Sequence, residues 1–157
     1  MKLSIKLKAN LFIIFVILAQ STPFSFNVMP GHLPELLSLV IYITYSLNKE
    51  ALGYFNLVLI SLLNDMIKLN YIGTSVMQYF VYAFYIDKLK RIYIHENLLI
   101  EWVGFALLNI VLLPCKYSLL NFIRGSDVIF TVIAFEKTLI TIACFPAIYY
   151  FINKLVK

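Results

Sequence analysis

The chain alternates between long apolar stretches and short polar breaks. The apolar stretches predict six helices, at residues 11–29, 35–47, 51–67, 72–86, 98–114 and 128–151. The second would be only about 20 Å long at roughly 1.5 Å per residue, less than the ~30 Å of membrane hydrocarbon. Asn48, Lys49 and Glu50 separate it from the third. One long span through both would put that lysine in lipid at a cost of about 3 kcal/mol, so two helices are predicted.

The first helix has two interpretations. Lys2, Lys6 and Lys8 precede an apolar run, as in a signal peptide cleaved near Ala19. The apolar character resumes at residues 24–29, which favours an uncleaved first span that tolerates a kink at Pro23. The cleaved signal peptide stays open as the alternative.

Polar and proline-containing segments predict the connections. Residues 30–34 form a turn, and residues 87–96 form a loop that starts with a basic cluster. After Pro114, residues 115–126 are predicted as a loop or a segment lying on the membrane surface. Asp127 would cap the last helix, and Trp102 suits the level of the lipid headgroups.

The composition is that of an integral membrane protein. The chain is 62% hydrophobic and 13% charged, with a mean hydropathy of +0.88, whereas soluble domains are about 45–50% apolar and about 25% charged. The length leaves room for one helical bundle, residues 1–157. The net charge of +5 is spread over short loops, which argues against nucleic-acid binding.

The basic residues also predict the orientation of the bundle. Positive residues favour the cytoplasmic side. With six spans one side holds nine basic residues: Lys2, Lys6, Lys8, Lys49, Lys88, Lys90, Arg91, Lys154 and Lys157. The other side holds three: Lys68, Lys116 and Arg124. Both termini are therefore predicted to be cytoplasmic.

The end of the third predicted helix carries the most conspicuous acidic group. Asn64 and Asp65 end an apolar helix, and Gly73 precedes the restart of the next. Asp65 is either a polar helix end at headgroup level, or a carboxylate turned into the bundle that accepts hydrogen bonds from backbone N–H groups at the start of helix four. Gly73 would allow close approach of the backbone there.

Glu136 and Lys137 lie inside the last predicted helix. Ionisable groups within a membrane are candidates for a functional site. Adjacent helical residues point about 100° apart, so these two do not pair with each other. Contact with a partner helix, or a structural ion pair with Asp65 or Glu101, is expected, and a small channel or carrier is the weaker alternative.

Enzymatic chemistry has no motif to support it. The sequence lacks a Ser-His-Asp set, a His-Glu-x-x-His motif and a Gly-rich phosphate-binding loop. His32 and His95 are far from each other and from Cys115 and Cys144, so no zinc signature is present. We expect a non-enzymatic protein without a cofactor or metal, and with both cysteines as small buried hydrophobes.

Three short segments mark the helix ends: residues 33–36 (Leu-Pro-Glu-Leu) at the entry to helix two, residues 61–65 (Ser-Leu-Leu-Asn-Asp) at the end of helix three, and residues 72–73 (Ile-Gly) at the restart. Tyr42 and residues 102–105 (Trp-Val-Gly-Phe) fit the same frame. In these segments the sequence resembles the MreD family of bacterial rod shape-determining proteins. Ser61 and Glu35 depart from the family's usual Gly and Asp. The resemblance covers residues 28–110, and more loosely the whole chain.

This resemblance implies a six-helix protein of the bacterial inner membrane that acts in cell-wall elongation. It would bind the transmembrane helix of MreC and connect MreB filaments to the glycosyltransferase RodA and a transpeptidase. The implied all-α bundle is similar to the substrate-binding subunits of energy-coupling-factor transporters. A vitamin-binding subunit of that kind is therefore the alternative function.

Overall fold

The computed structural model describes residues 2–21, 35–50, 52–67, 73–92, 97–124 and 129–156, with side chains described over part of these ranges. Within them the fold is entirely helical, without strands. The six helices are α1 (Lys2–Ser21), α2 (Leu36–Leu47), α3 (Tyr54–Ile67), α4 (Thr74–Ile92), α5 (Leu98–Arg124) and α6 (Ile129–Val156).

The short helix α2 lies at the centre of the bundle. Every side chain from Leu37 to Ser46 is buried, and α2 packs against α1, α4 and α6. The Tyr42 ring contacts three aromatic rings edge-on. The distances between ring centroids are 5.6 Å to Tyr82 on α4, 5.0 Å to Phe105 on α5 and 6.1 Å to Phe145 on α6. Because its neighbours cover it on all sides, α2 is stabilised by packing despite its length.

The contacts at the two ends of the bundle define the directions of the helices. The C-terminal part of α3 contacts the start of α4 through Asp65, and the start of α3 contacts Asp87 near the end of α4. These two helices are therefore antiparallel. Likewise α5 contacts the end of α2 through Glu101 and its beginning through Lys116, so α5 runs opposite to α2.

Four helices extend beyond their predicted bounds, among them α6, which ends at Val156 rather than at residue 151. The first helix begins at Lys2 rather than at residue 11, and the predicted residues 22–29 lie outside the described part of the chain. The basic cluster predicted as a loop instead forms the last turns of α4, where Lys90 and Arg91 interact favourably with the negative end of the helix dipole. Residues 115–124 of the predicted loop after Pro114 are also helical, whereas Asp127, the predicted cap of the last helix, lies outside the described residues.

The helix α5 continues through Pro114 to Arg124. Proline in a helix interior costs about 3 kcal/mol because it removes one backbone hydrogen bond and crowds the preceding turn. Neighbouring helices offset this cost in membrane bundles. Here α5 packs along α6, and Lys116, just past the proline, is bonded inside the bundle. Pro114 predicted the end of a helix, but packing against the neighbouring helices keeps α5 continuous past it.

Two stretches are long and apolar enough to cross a membrane, Leu98–Lys116 in α5 and Phe135–Lys154 in α6. The helices α2 and α3 and residues 10–19 of α1 are also apolar, but they are shorter. Large apolar side chains lie on the outside of several helices, including Phe55 (75% exposed), Phe84 (73%) and Tyr150 (74%). The described surface is thus apolar over wide areas.

Candidate functional site

The connection between α3 and α4 is organised around the buried carboxylate of Asp65. The Gly73 backbone N–H donates to its Oδ2 (2.9 Å), and the Ser75 N–H donates to both carboxylate oxygens (3.2 and 3.3 Å). The Thr74 hydroxyl donates to Oδ1 (3.3 Å). Asp65 thus satisfies N–H groups that the first turn of α4 would otherwise leave without partners, and its charge lies at the positive end of the helix dipole.

Asn64 extends this arrangement by one more buried bond, from its amide to the Ser75 hydroxyl (2.9 Å). Asn64 and Asp65 are 2% and 0% exposed, so neither is a solvated helix end. The geometry is that of the second alternative stated above, a carboxylate turned into the bundle that fixes the turn. Asn64, Asp65 and Gly73 are brought together by the fold.

Gly73 has a conformational requirement that the sequence did not show. Its φ is +105°, a backbone conformation that residues with a Cβ rarely adopt. A Cβ built at this position would meet no atom of the described residues within 4 Å. The glycine is therefore required by its backbone dihedral angle, and its N–H lies close to the Asp65 carboxylate as expected.

A second group of buried polar side chains crosses the bundle near the same end. The Lys116 ammonium group on α5 lies 3.6 Å from the Glu35 carboxylate, which precedes α2, and donates to Gln78 of α4 (3.0 Å). Gln78 donates to the Tyr82 hydroxyl (2.8 Å), which donates to Asn109 of α5 (2.6 Å). We call these five residues the interior polar chain; it joins α2, α4 and α5.

The hydrogen bonds of the interior polar chain end on a backbone group of the protein. Its last member, Asn109, donates to the Phe105 carbonyl of its own helix (2.7 Å). The side chains of Glu35 and Lys116 are each 6% exposed. A buried charge is tolerated only when paired and hydrogen-bonded. The chain therefore holds the helices in one register through directional bonds.

The last helix contributes to this region through Thr141 and Lys137. The Glu35 backbone N–H donates to the Thr141 hydroxyl (3.0 Å), which itself donates to the Lys137 carbonyl (2.7 Å). Lys137 is partly buried and interacts electrostatically with Glu35 and Lys116, whereas the side chain of Glu136 is exposed. The two candidates thus point in different directions, and Lys137 is the one that faces the polar interior.

Asp65 and Glu101, the acidic partners expected for this pair, make other contacts. Asp65 lies in the α3–α4 turn, as described. Glu101 accepts a hydrogen bond from the Ser46 hydroxyl at the opposite end of α2 (2.6 Å). The carboxylate that interacts with Lys137 is instead that of Glu35.

The opposite end of the bundle carries a partly exposed cluster around Asp87. The Lys49 ammonium group lies 2.7 Å from its carboxylate, and the hydroxyl groups of Tyr54 (2.8 Å) and Tyr45 (3.4 Å) donate to it. Partial burial raises the pKa of Asp87, but the hydrogen bonds from Lys49 and Tyr54 outweigh this and lower it overall. The hydrogen bond to Asp87 in turn raises the pKa of Lys49.

Trp102 makes a contact that the sequence did not predict. It lies near the start of α5 as expected, but its indole N–H donates to the Ile142 carbonyl of α6 (3.0 Å). Its side chain is only partly exposed and packs against the core. Trp102 therefore links two helices.

Sequence reasoning missed most of the interior polar chain. The spacing held a usable signal, because Gln78 and Tyr82, like Phe105 and Asn109, are four residues apart and therefore lie on one helix face. Lys116 was missed because Pro114 was interpreted as the end of the helix. In the described parts of the chain, no three His, Cys, Asp or Glu side chains are grouped so that they could hold a metal ion.

Comparison with protein-family models, curated proteins and solved structures found no match to this chain. What can be said of its function therefore rests on the site itself.

Proposed function

We propose that this chain is a six-span membrane scaffold of the MreD type, with both termini in the cytoplasm of a bacterial cell. It binds the transmembrane helix of MreC and connects MreB filaments to RodA and an elongation transpeptidase, without catalysis of its own. The α3–α4 turn supports the proposal, because two of the segments that resemble the family meet there, residues 61–65 through the buried Asp65 carboxylate and the helix restart through Gly73.

The distribution of polar and apolar groups supports placement in a bilayer. The charged and polar side chains Glu35, Asn64, Asp65, Gln78 and Lys116 are buried among the helices. Large apolar side chains lie outside. Ionisable groups that face the bundle interior with apolar groups facing outward are typical of membrane helices.

A scaffold fits the interior better than a vitamin-binding subunit does. A binding subunit needs a pocket into which polar groups converge toward a ligand. In the described interior, polar side chains of α4 and α5 donate to and accept from one another, and Ser46 of α2 donates to Glu101 of α5. Two cavities of the described structure lie on the outer face of α4, and their linings are mainly apolar.

The test is co-purification of the full chain with MreC from detergent-solubilised membranes. We expect the wild-type chain to retain MreC and the Asp65→Ala variant to lose most of it, because the α3–α4 turn loses its shape. Glu50→Ala is the matched control, since Glu50 is an exposed acidic residue in the connection between α2 and α3. Recovery of a bound vitamin in place of MreC would overturn the proposal.

A further inference from the structure

A continuous groove runs along the outer face of α4. A cavity of about 540 Å³ near the α3–α4 turn is lined by residues of α4 that include Met77, Val81 and Phe84. A second cavity of about 410 Å³ lies toward the other end of α4 and reaches Leu108 of α5. Val81 and Phe84 line both cavities, which joins them. Each volume lies within the ~300–1,000 Å³ typical of sites for small ligands.

The second cavity combines an apolar lining with positive charge at one end. Its walls include Phe84, Leu89 and Leu108, and Lys88 also lines it. Arg91, three residues after Lys88, is exposed and lies on the same side of α4. Both cations belong to the helix end predicted to be cytoplasmic. The groove thus offers a hydrocarbon surface that ends at two cationic side chains.

The neighbouring acidic residue does not cancel this charge. Asp87 accepts hydrogen bonds from Lys49 and Tyr54, which belong to the connection after α2 and to α3. Adjacent residues of a helix point about 100° apart, so Asp87 does not lie beside Lys88, although it is four residues before Arg91 and on the same face as that residue. The basic character of the groove therefore comes mainly from Lys88, which lines the cavity.

We propose that this groove binds a phospholipid with an anionic headgroup. The acyl chains lie against Phe84, Leu89 and Leu108, and the phosphate group interacts with Lys88 and Arg91. Basic pockets between membrane helices on the cytoplasmic side bind anionic headgroups, because the acyl chains fix the charge of the lipid close to the cations. The inference rests on the membrane placement given under Proposed function, and is independent of MreC.

The experiment measures lipid binding to the purified full chain by native mass spectrometry, with phosphatidylglycerol and phosphatidylcholine as probes. We expect the wild-type chain to prefer phosphatidylglycerol. Lys88→Ala should lower phosphatidylglycerol binding roughly fivefold, the effect of one cation near a headgroup, and leave phosphatidylcholine binding unchanged. Lys88→Arg should keep the preference. Lys154→Ala, which removes an exposed lysine at the end of α6, is the matched control and should change neither.

A second variant tests the apolar part of the groove. Leu108→Trp fills the cavity next to Phe84 and should weaken binding of both lipids. Inorganic phosphate at the same concentration should not displace phosphatidylglycerol, because it lacks the acyl chains. The circular dichroism spectrum of each variant shows whether its helices are retained.

Three outcomes would overturn the lipid site. Lys88→Ala could keep the full preference, inorganic phosphate could displace the lipid, or a photo-crosslinker at Phe84 in native membranes could capture only protein. Extraction of membranes with alkaline carbonate separates this failure from failure of the proposed function. A chain released by carbonate is not embedded in the bilayer, whereas a retained chain without lipid preference contradicts the lipid site alone.

Discussion

The two ends of the bundle use the same chemistry in opposite environments. At one end, the Asp65 carboxylate accepts hydrogen bonds from Gly73, Thr74 and Ser75 while fully buried. At the other end, the Asp87 carboxylate accepts from Lys49, Tyr45 and Tyr54, and the side chains of the Lys49–Asp87 pair are 50% and 18% exposed.

Burial decides how much each end contributes to stability. Removing one partner of a buried polar pair leaves the other group with neither a protein partner nor water. The free-energy cost of this unsatisfied group is far larger than the net contribution of the hydrogen bond to stability. An exposed pair exchanges its partner for water and loses little. We therefore expect the Asp65 end, together with the nearby interior polar chain, to dominate the stability of the bundle.

The largest effect is expected at Lys116. Lys116→Met removes the cation that lies 3.6 Å from Glu35 and the donor to Gln78. Loss of one partner of a buried ion pair costs about 3–5 kcal/mol. Unfolding in mixed micelles, followed by circular dichroism, measures this loss. Lys154→Met, an exposed lysine on α6, should change stability by no more than about 0.5 kcal/mol. Equal losses in the two variants would show that the interior polar chain does not stabilise the bundle.

Asp65→Ala should rank second. It leaves the N–H groups of Gly73 and Ser75 without their carboxylate acceptor, and a buried unsatisfied donor costs about 1–3 kcal/mol. We expect a loss of about 2–3 kcal/mol by the same unfolding measurement. Glu50→Ala, in the exposed connection after α2, should lose less than about 0.5 kcal/mol. A similar small loss in both variants would make Asp65 energetically equivalent to a solvated helix end.

Gly73→Ala should cost about 1–2 kcal/mol, because alanine at a φ of +105° is strained. The added methyl group meets no described atom within 4 Å, so a measured loss reports the backbone dihedral angle and not a clash with the described residues. Gly53 provides the matched control. A Cβ there also meets no atom of the described chain within 4 Å, and the φ of Gly53 lies outside the positive region that strains alanine. Gly53→Ala should therefore be neutral or slightly stabilising, and equal losses in the two variants would contradict the role given to φ.

The sequence predicted those features that depend on local signals. The alternation of apolar runs with polar breaks located six helices, and the Asn-Asp pair before Gly73 located the turn around Asp65. What it could not locate depends on packing. Lys116 lies beyond a proline that tertiary contacts override, and Glu35 was predicted only as the first residue of the second helix. Their pairing joins residues 81 positions apart in the chain, for which no local pattern exists.

The smallest effect is expected at the exposed end, and pH separates it from the others. The lowered pKa of Asp87 means that its contribution to stability is present above the carboxyl pKa of the unfolded chain, about 3.9, and is lost as pH falls through the lower folded value. The raised pKa of Lys49 means that its contribution is present below about pH 10.4 and is lost as pH rises through the higher folded value. Between these limits the stability from this pair should be constant.

Asp87→Asn should lower the unfolding midpoint slightly at pH 7, and by less in high salt because salt screens exposed charges. At a pH below the folded pKa of Asp87 the variant and the wild type should converge. A loss at pH 7 as large as that of Asp65→Ala would contradict the difference between the two ends, since it would require Asp87 to be as poorly hydrated as Asp65.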